Sequence, residues 1–266
     1  MENYHRPRKR FGQNFLHDQN VISAIIAAAQ LDHSDKILEI GPGQGALTDK
    51  ILPHVATLDI IEIDRDLAQS FVARNDSKLT VHIADALRLD WGEILHGDNY
   101  KLIANLPYNI STQILFKMLE QRQHFARMIL MFQKEVGDRL RAQPGTKEYG
   151  ALTVMCQLWF DVSRVTLVPP QAFRPPPKIM SEVLKFDRLA QPRVHVDNPV
   201  FFQRVVKAAF AQRRKTLRNC LCAAGFSPDS VDSAAKLTAI DMHRRGETLS
   251  IQEFSQLAVQ LYTTET

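Results

Sequence analysis

The chain has 266 residues, 45% of them hydrophobic and 23% charged, enough to bury a sizeable core as one large domain or two unequal ones. A formal net charge of +4 and a pI near 9.0 suit a polyanionic partner without requiring one. No apolar stretch approaches bilayer length and the basic N-terminus lacks a leader's hydrophobic region, so membrane and secreted classes are set aside and a cytoplasmic protein is expected. The three cysteines, Cys156, Cys220 and Cys222, form no ligand spacing; reduced thiols and no metal are expected.

In chain order, a basic arm with Arg6, Arg8, Lys9 and Arg10 comes first. Apolar residues at helical spacing (Val21, Ile22, Ile25, Ile26, Ala29) predict a helix from Asp18 to Leu31. Short apolar runs at 36–41, 56–63, 79–84, 100–105 and 127–132 then alternate with helical stretches, the pattern of an α/β fold with a mostly parallel sheet. Runs near 158–168 and 181–186 have no helix between them and read as an antiparallel pair at one edge. Composition changes at Gln191-Pro192, which predicts a first domain over 1–190 and a small helical domain over 191–266. Asn198-Pro199 has the form of a helix start, and that helix is expected to run to Gly225. Ser250-Ile251-Gln252-Glu253 matches a capping box ahead of a last amphipathic helix.

Three strand ends and one glycine-rich turn carry the chemistry. Ile37 to Ile40 enters Gly41-Pro42-Gly43-Gln44-Gly45-Ala46, a strand–turn–helix arrangement that brings backbone N–H groups close to a ligand. Glu62 ends the second run about twenty residues after the glycines, where a carboxylate can accept ribose hydroxyls. Gly41, Gly43 and Ala46 also satisfy the looser dinucleotide fingerprint, so this segment indicates a nucleoside cofactor without choosing between a nicotinamide and S-adenosylmethionine. Asp85, at the third strand end, can accept from an adenine amino group. The fourth strand stops at Asn105-Leu106-Pro107-Tyr108, where proline prevents its continuation. The Asn105 oxygen and the Leu106 carbonyl can accept both hydrogens of an exocyclic amine while Tyr108 stacks on its ring. A dehydrogenase has no use for such a tetrapeptide.

These motifs, with Phe11-Gly12-Gln13-Asn14-Phe15-Leu16, Ala172-Phe173-Arg174-Pro175-Pro176-Pro177-Lys178 and Phe210-Ala211-Gln212-Arg213-Arg214-Lys215-Thr216-Leu217-Arg218, resemble the KsgA/RsmA type of ribosomal RNA adenine dimethyltransferase over nearly the whole chain. The resemblance implies a Rossmann-like class I methyltransferase sheet with a small C-terminal all-α domain. It also implies S-adenosylmethionine-dependent dimethylation of two adjacent adenosines near the 3′ end of small-subunit (16S) RNA. It places Gln13, Asn14 and Leu16 at the cofactor's methionine end, Gly41 and Gly43 beneath it, Glu62 on the ribose, and Asp85 and Ala86 at the adenine, with Asn105 touching the cofactor as well as the target base. Phe173 is implied on the second face of the target base, opposite Tyr108.

Catalysis of this kind is positioning for in-line displacement and calls for no nucleophilic side chain. Arg213, Arg214, Lys215 and Arg218, crowded on one expected helix, and the basic arm are the candidate RNA-phosphate contacts. The expected partner is the small ribosomal subunit, and nothing calls for an obligate dimer. A large-subunit enzyme of the macrolide-resistance type shares fold and chemistry, and a non-catalytic assembly or transcription factor could keep the fold alone. The Arg-Arg-Lys-Thr-Leu-Arg segment favours the small-subunit type, and intact Asn105, Tyr108, Glu62 and Asp85 argue against loss of chemistry.

Overall fold

The computed structural model describes Arg8 and residues 12–265; Arg6, Lys9 and Arg10 of the basic arm lie outside the described residues. Along the chain run β1 (Phe15–Leu16), α1 (Gln19–Ala29), β2 (Lys36–Ile40), α2 (Thr48–Ile51), β3 (Thr57–Glu62), α3 (Arg65–Val72), β4 (Leu79–Ile83), β5 (Tyr100–Asn105), α4 (Ser111–Glu120), β6 (Phe125–Gln133), α5 (Lys134–Leu140), α6 (Ala151–Gln157), β7 (Phe160–Val168), β8 (Phe173–Arg174), β9 (Ser181–Arg188), α7 (Pro199–Ala209), α8 (Leu217–Ala223), α9 (Pro228–Thr238) and α10 (Ile251–Glu265). They gather into two compact units: Met1–Gly137 with Asp161–Arg188, and Asp138–Phe160 with Leu189–Thr266. The segment 138–160, expected with the first domain, groups with the helices. A single boundary along the sequence cannot express an excursion that leaves a sheet after β6 and returns to it at β7.

In the first unit a seven-stranded sheet has the order β4-β3-β2-β5-β6-β9-β7. Pairing is parallel from β4 across to β6 and antiparallel between β6 and β9. The inner strands are largely apolar because both faces of the sheet are covered: Ile37, Leu38, Leu102, Ile103, Met128 and Leu130 are all buried. Helix α1 starts where the Asp18 side chain accepts from the Asn20 and Val21 amides, and it buries Val21, Ile22, Ile25 and Ala29. From β2 the chain winds outward to β3 and β4, then crosses back to β5 on the other flank of β2. That reversal opens a crevice at the carboxyl ends of β2 and β5, the place where open α/β sheets bind ligands.

The second unit packs α7, α9 and α10 with α6 and α8. Asn198 caps α7 by accepting from the Phe201 amide, with Pro199 at the first helical position. The capping box of α10 is formed: the Ser250 amide donates to Glu253 Oε2 at 2.7 Å and the Glu253 amide to Ser250 Oγ at 3.2 Å. Gly246 is required by close approach, since a Cβ there would stand 2.6 Å from the Ala209 carbonyl oxygen.

The helix expected from Asn198 to Gly225 is two helices. It ends at Ala209, and α8 begins after Thr216, whose side chain accepts from the Asn219 amide. Helix α7 buries Phe202, Val205, Val206 and Ala209. Continued at 3.6 residues per turn, that stripe would carry Gln212 and Arg213 into the core, where an unpaired charge is costly. The break keeps residues 211–215 exposed. Among the described residues no helix is long and apolar enough to cross a membrane.

Candidate active site

The crevice at the switch point is a groove of about 980 Å³, mouth included, lined by the β1 segment and by the ends of β2, β3, β4 and β5. It gathers Gln13, Asn14, Leu16, Gly41, Gly43, Glu62, Asp85, Ala86, Asn105, Leu106, Pro107 and Tyr108, so all but one of the expected cofactor and base-binding residues meet in one place.

Its floor is the glycine-rich turn. Gly41, Gly43 and Gly45 all have positive φ (+68°, +58° and +91°), which side-chain-bearing residues adopt only with strain. A Cβ on Gly41 would meet nothing within 4 Å, so the backbone there borders open space, whereas one on Gly43 would press on the Phe15 ring at 3.0 Å. Glu62 is buried and held in place: Oε1 accepts from the Asp64 amide at 2.8 Å and Oε2 from the Gly43 amide at 3.4 Å. Burial raises its pKa, with those backbone bonds opposing the shift. Asp85 Oδ1 accepts from the Leu87 amide at 2.9 Å, and Oδ2 is 3.8 Å from the Arg88 guanidinium. A fixed carboxylate, a glycine bordering open space and a strand-end aspartate fit a ribose and an amino-bearing base.

Opposite them the Asn105 amide nitrogen donates to the Asn14 carbonyl at 3.1 Å. That bond fixes the amide plane. Among the described residues, neither the Asn105 oxygen nor the Leu106 carbonyl receives a hydrogen bond, so both remain available to a donor. The half-buried Tyr108 is tied at its tip, its hydroxyl 2.5 Å from Ser181 Oγ. Burial raises the phenol's pKa and Ser181 opposes the rise, so the hydroxyl stays protonated at neutral pH. The ring is thereby held at the groove wall.

Phe173 is the exception. Its ring is 1% exposed and belongs to the hydrophobic core with Leu16, Ile129 and Val183, away from the groove lining. The cause is the short antiparallel ladder of β1 with β8, which sets Leu16 opposite Phe173 and draws the aromatic inward. Arg8 also departs from the expected phosphate contact: its guanidinium pairs with Asp64 at 2.8 Å and with Asp66.

Several participants were not marked by the motifs. Buried Asp64 accepts from Arg8 and, at 3.0 Å, from the Gln13 amide, joining the N-terminal segment to the end of β3. Its place two residues after Glu62 and at the N-cap of α3 was the available signal. Ser181 carried none, because its pairing with Tyr108 spans 73 residues. Glu39 is buried in the groove wall and accepts from Thr48 Oγ1 at 2.7 Å; burial lifts its carboxyl to about 8.

In the second unit the basic residues lie on the 210–216 turn and the start of α8 rather than on one helix face. Arg213 contacts the Lys147 carbonyl and lies 3.7 Å from Glu247. Arg218 is held by Asp232 through bonds of 2.8 and 2.9 Å. Arg214 and Lys215 are exposed and have no ion-pair partner among the described residues.

Comparison with known proteins agrees with this geometry. A family model described as Ribosomal RNA adenine dimethylase matches residues 4–262. The Ribosomal RNA small subunit methyltransferase A of Syntrophotalea carbinolica is 60% identical over 254 residues, covering 96% of each chain. A dimethyladenosine transferase crystal structure from Plasmodium falciparum superposes with a TM-score of 0.79 at 25% identity, covering 94% of this chain and 98% of that one. The 23S rRNA methyltransferase ErmE shares the fold with a TM-score of 0.71 at 23% identity, covering 94% and 100%. The sheet with its switch-point groove is thus that of a class I methyltransferase, and the chain belongs to the ribosomal RNA adenine dimethylase family.

Proposed function

We propose that this chain uses S-adenosylmethionine to dimethylate N6 of two adjacent adenosines in the 3′-terminal loop of small-subunit (16S) ribosomal RNA, on the subunit during its assembly. The observation that carries the proposal is the pair of open acceptors, Asn105 Oδ1 and the Leu106 carbonyl, beside the anchored Tyr108 ring. The relative's printed name supports the choice of the small subunit.

In this account Glu62 holds the cofactor's ribose, Asp85 and Ala86 its adenine, and Gln13, Asn14, Leu16, Gly41 and Gly43 the methionine end. The cofactor supplies an electrophilic sulfonium methyl. Asn105 Oδ1 and the Leu106 carbonyl accept the two N6 hydrogens and turn the nitrogen lone pair out of conjugation with the ring. Pro107, with no backbone N–H, ends the strand and leaves the Leu106 carbonyl outside its ladder, and Tyr108 stacks on a base that has left its helix. Phe173 acts from the core by supporting the β1 segment rather than as a second stacking ring. Transfer would break the methyl–sulfur bond, leaving S-adenosylhomocysteine, and one N6 proton would pass to water; the one hydrogen remaining on N6 then needs only one acceptor. Arg214 and Lys215, with Arg213 and Arg218 behind them, take RNA phosphates.

The test is to incubate the protein with methyl-labelled cofactor and purified small or large subunits from a strain lacking this modification. Label in small-subunit RNA, recovered as N6,N6-dimethyladenosine, is expected. Label confined to large-subunit RNA, or none in either, would overturn the proposal.

A further inference from the structure

The loop that follows β4 carries Asp85 and Ala86 into the groove, and its own carbonyls are held by two side chains with no contact with the groove. Trp91, fully buried, donates its indole N–H to the Ala86 carbonyl at 2.9 Å. Lys117 donates its ammonium to the Leu87 carbonyl at 3.0 Å and also to the Leu89 carbonyl. The same ammonium lies 5.2 Å from the centroid of the Trp91 ring, and that ring meets Phe125 edge-on at 6.2 Å. The carbonyls at 86, 87 and 89 are therefore fixed from behind. On the front, the Asp85 carbonyl accepts from the Arg88 and Leu89 amides at 3.0 and 2.9 Å, and its side chain from Leu87. Lys117 stands on α4, the helix that starts three residues after Tyr108, so one cation couples the base-accepting tetrapeptide to this loop.

We propose that Lys117 and Trp91 are positioning residues that set the groove's selectivity for an adenine over a hypoxanthine cofactor base, by holding the Asp85 carboxylate in register. The proposal rests on the adenosyl-cofactor assignment of this groove. Adenine presents a 6-amino donor to Asp85. Hypoxanthine presents a 6-oxo acceptor, which a correctly aimed carboxylate repels and a slack one tolerates. Loosening the loop should therefore cost adenine recognition selectively, whereas a general loss of packing should weaken both ligands alike.

The experiment is calorimetric binding of S-adenosylhomocysteine and S-inosylhomocysteine to the full chain, wild type and four variants: Asp85→Asn, Lys117→Met, Lys117→Arg and Trp91→Phe. The wild type is expected to prefer the adenine ligand by at least about tenfold. Asp85→Asn should erase most of that preference. Lys117→Met, which keeps the aliphatic stem, and Trp91→Phe should each cut it at least about threefold while the inosine ligand's Kd moves less than about twofold. Lys117→Arg should restore it. Retained binding of the inosine ligand shows that each variant is folded. Parallel weakening of both ligands in Lys117→Met, or an unchanged preference in it, overturns the proposal while leaving Asp85 as the base acceptor. An unchanged preference in Asp85→Asn, or no preference in the wild type, overturns the assignment of Asp85 and the proposal with it.

Discussion

The groove of the first unit and the basic turn of the second meet their ligands in opposite ways. In the groove, Glu62, Asp64, Asn105 and Tyr108 each have a named partner inside the protein before any ligand arrives. On the turn, Arg214 and Lys215 project without one among the described residues, and only Arg213 and Arg218 are braced by carboxylates. Methyl transfer depends on placement within fractions of an ångström, so the polar groups there are fixed in advance. Attraction to a phosphate chain depends mainly on charge, which loose side chains deliver as well as rigid ones.

Substitutions can break that contrast, beginning where the loss is largest. Phe173→Ala should cost about 3–5 kcal/mol of stability, a drop on the order of 10 °C in Tm by calorimetry. Phe173→Leu should recover most of it along with near-normal transfer. A Phe173→Leu protein with wild-type Tm but poor transfer would return the ring to the base. Tyr108→Ala should lose about 1–3 kcal/mol of base stacking, read in kcat/KM for RNA, while Tyr108→Phe, which gives up only the Ser181 bond, should lose a few-fold at most. Replacing Arg214 and Lys215 together by alanine should weaken RNA binding about tenfold and flatten the log–log salt dependence by about 1–2, with cofactor Kd unchanged.

A last effect concerns pH. The Glu39 carboxyl, ordinarily near 4.5, sits at about 8 in the fold because burial disfavours its charge. Below 4.5 both folded and unfolded chains hold the proton. Between 4.5 and 8 only the unfolded chain releases it, so folding grows less favourable as pH rises through that window. Glu39→Gln, which can still accept from Thr48, should therefore stabilise the cofactor-free protein at pH 8 by roughly 1–3 kcal/mol, read as a higher Tm, and leave Tm unchanged near pH 4.5.

Much of the fold was legible because it is local. Apolar runs predicted β2 to β6 to within a residue or two, apolar spacing predicted α1, and Asn198 and Ser250 marked helix starts by capping chemistry. Glu62, Asp85 and Asn105 were legible for a related reason, since each stands where a strand gives way to a turn, whereas Gln13, Asn14 and Leu16 came only from the family resemblance. What stayed hidden depends on partners distant in sequence. The Leu16–Phe173 ladder that buries Phe173 and the Ser181 anchor of Tyr108 each join segments far apart in the chain. Arg213 had a local explanation that composition alone obscured: basic residues form good helices, but its place on the buried stripe of α7 would have forced a charge into the core.

The measurement closest to the central claim is single-turnover methylation of unmodified small subunits by wild type and by Asn105→Ala, each saturated with S-adenosylmethionine, with S-adenosylhomocysteine Kd measured in parallel. Removing one preorganised hydrogen-bonding group at the reacting atom should slow transfer by about 10²–10³-fold, far more than it weakens the S-adenosylhomocysteine Kd. A variant that still forms N6,N6-dimethyladenosine at near wild-type rate would show that Asn105 Oδ1 does not hold the reacting amine, and would contradict the account.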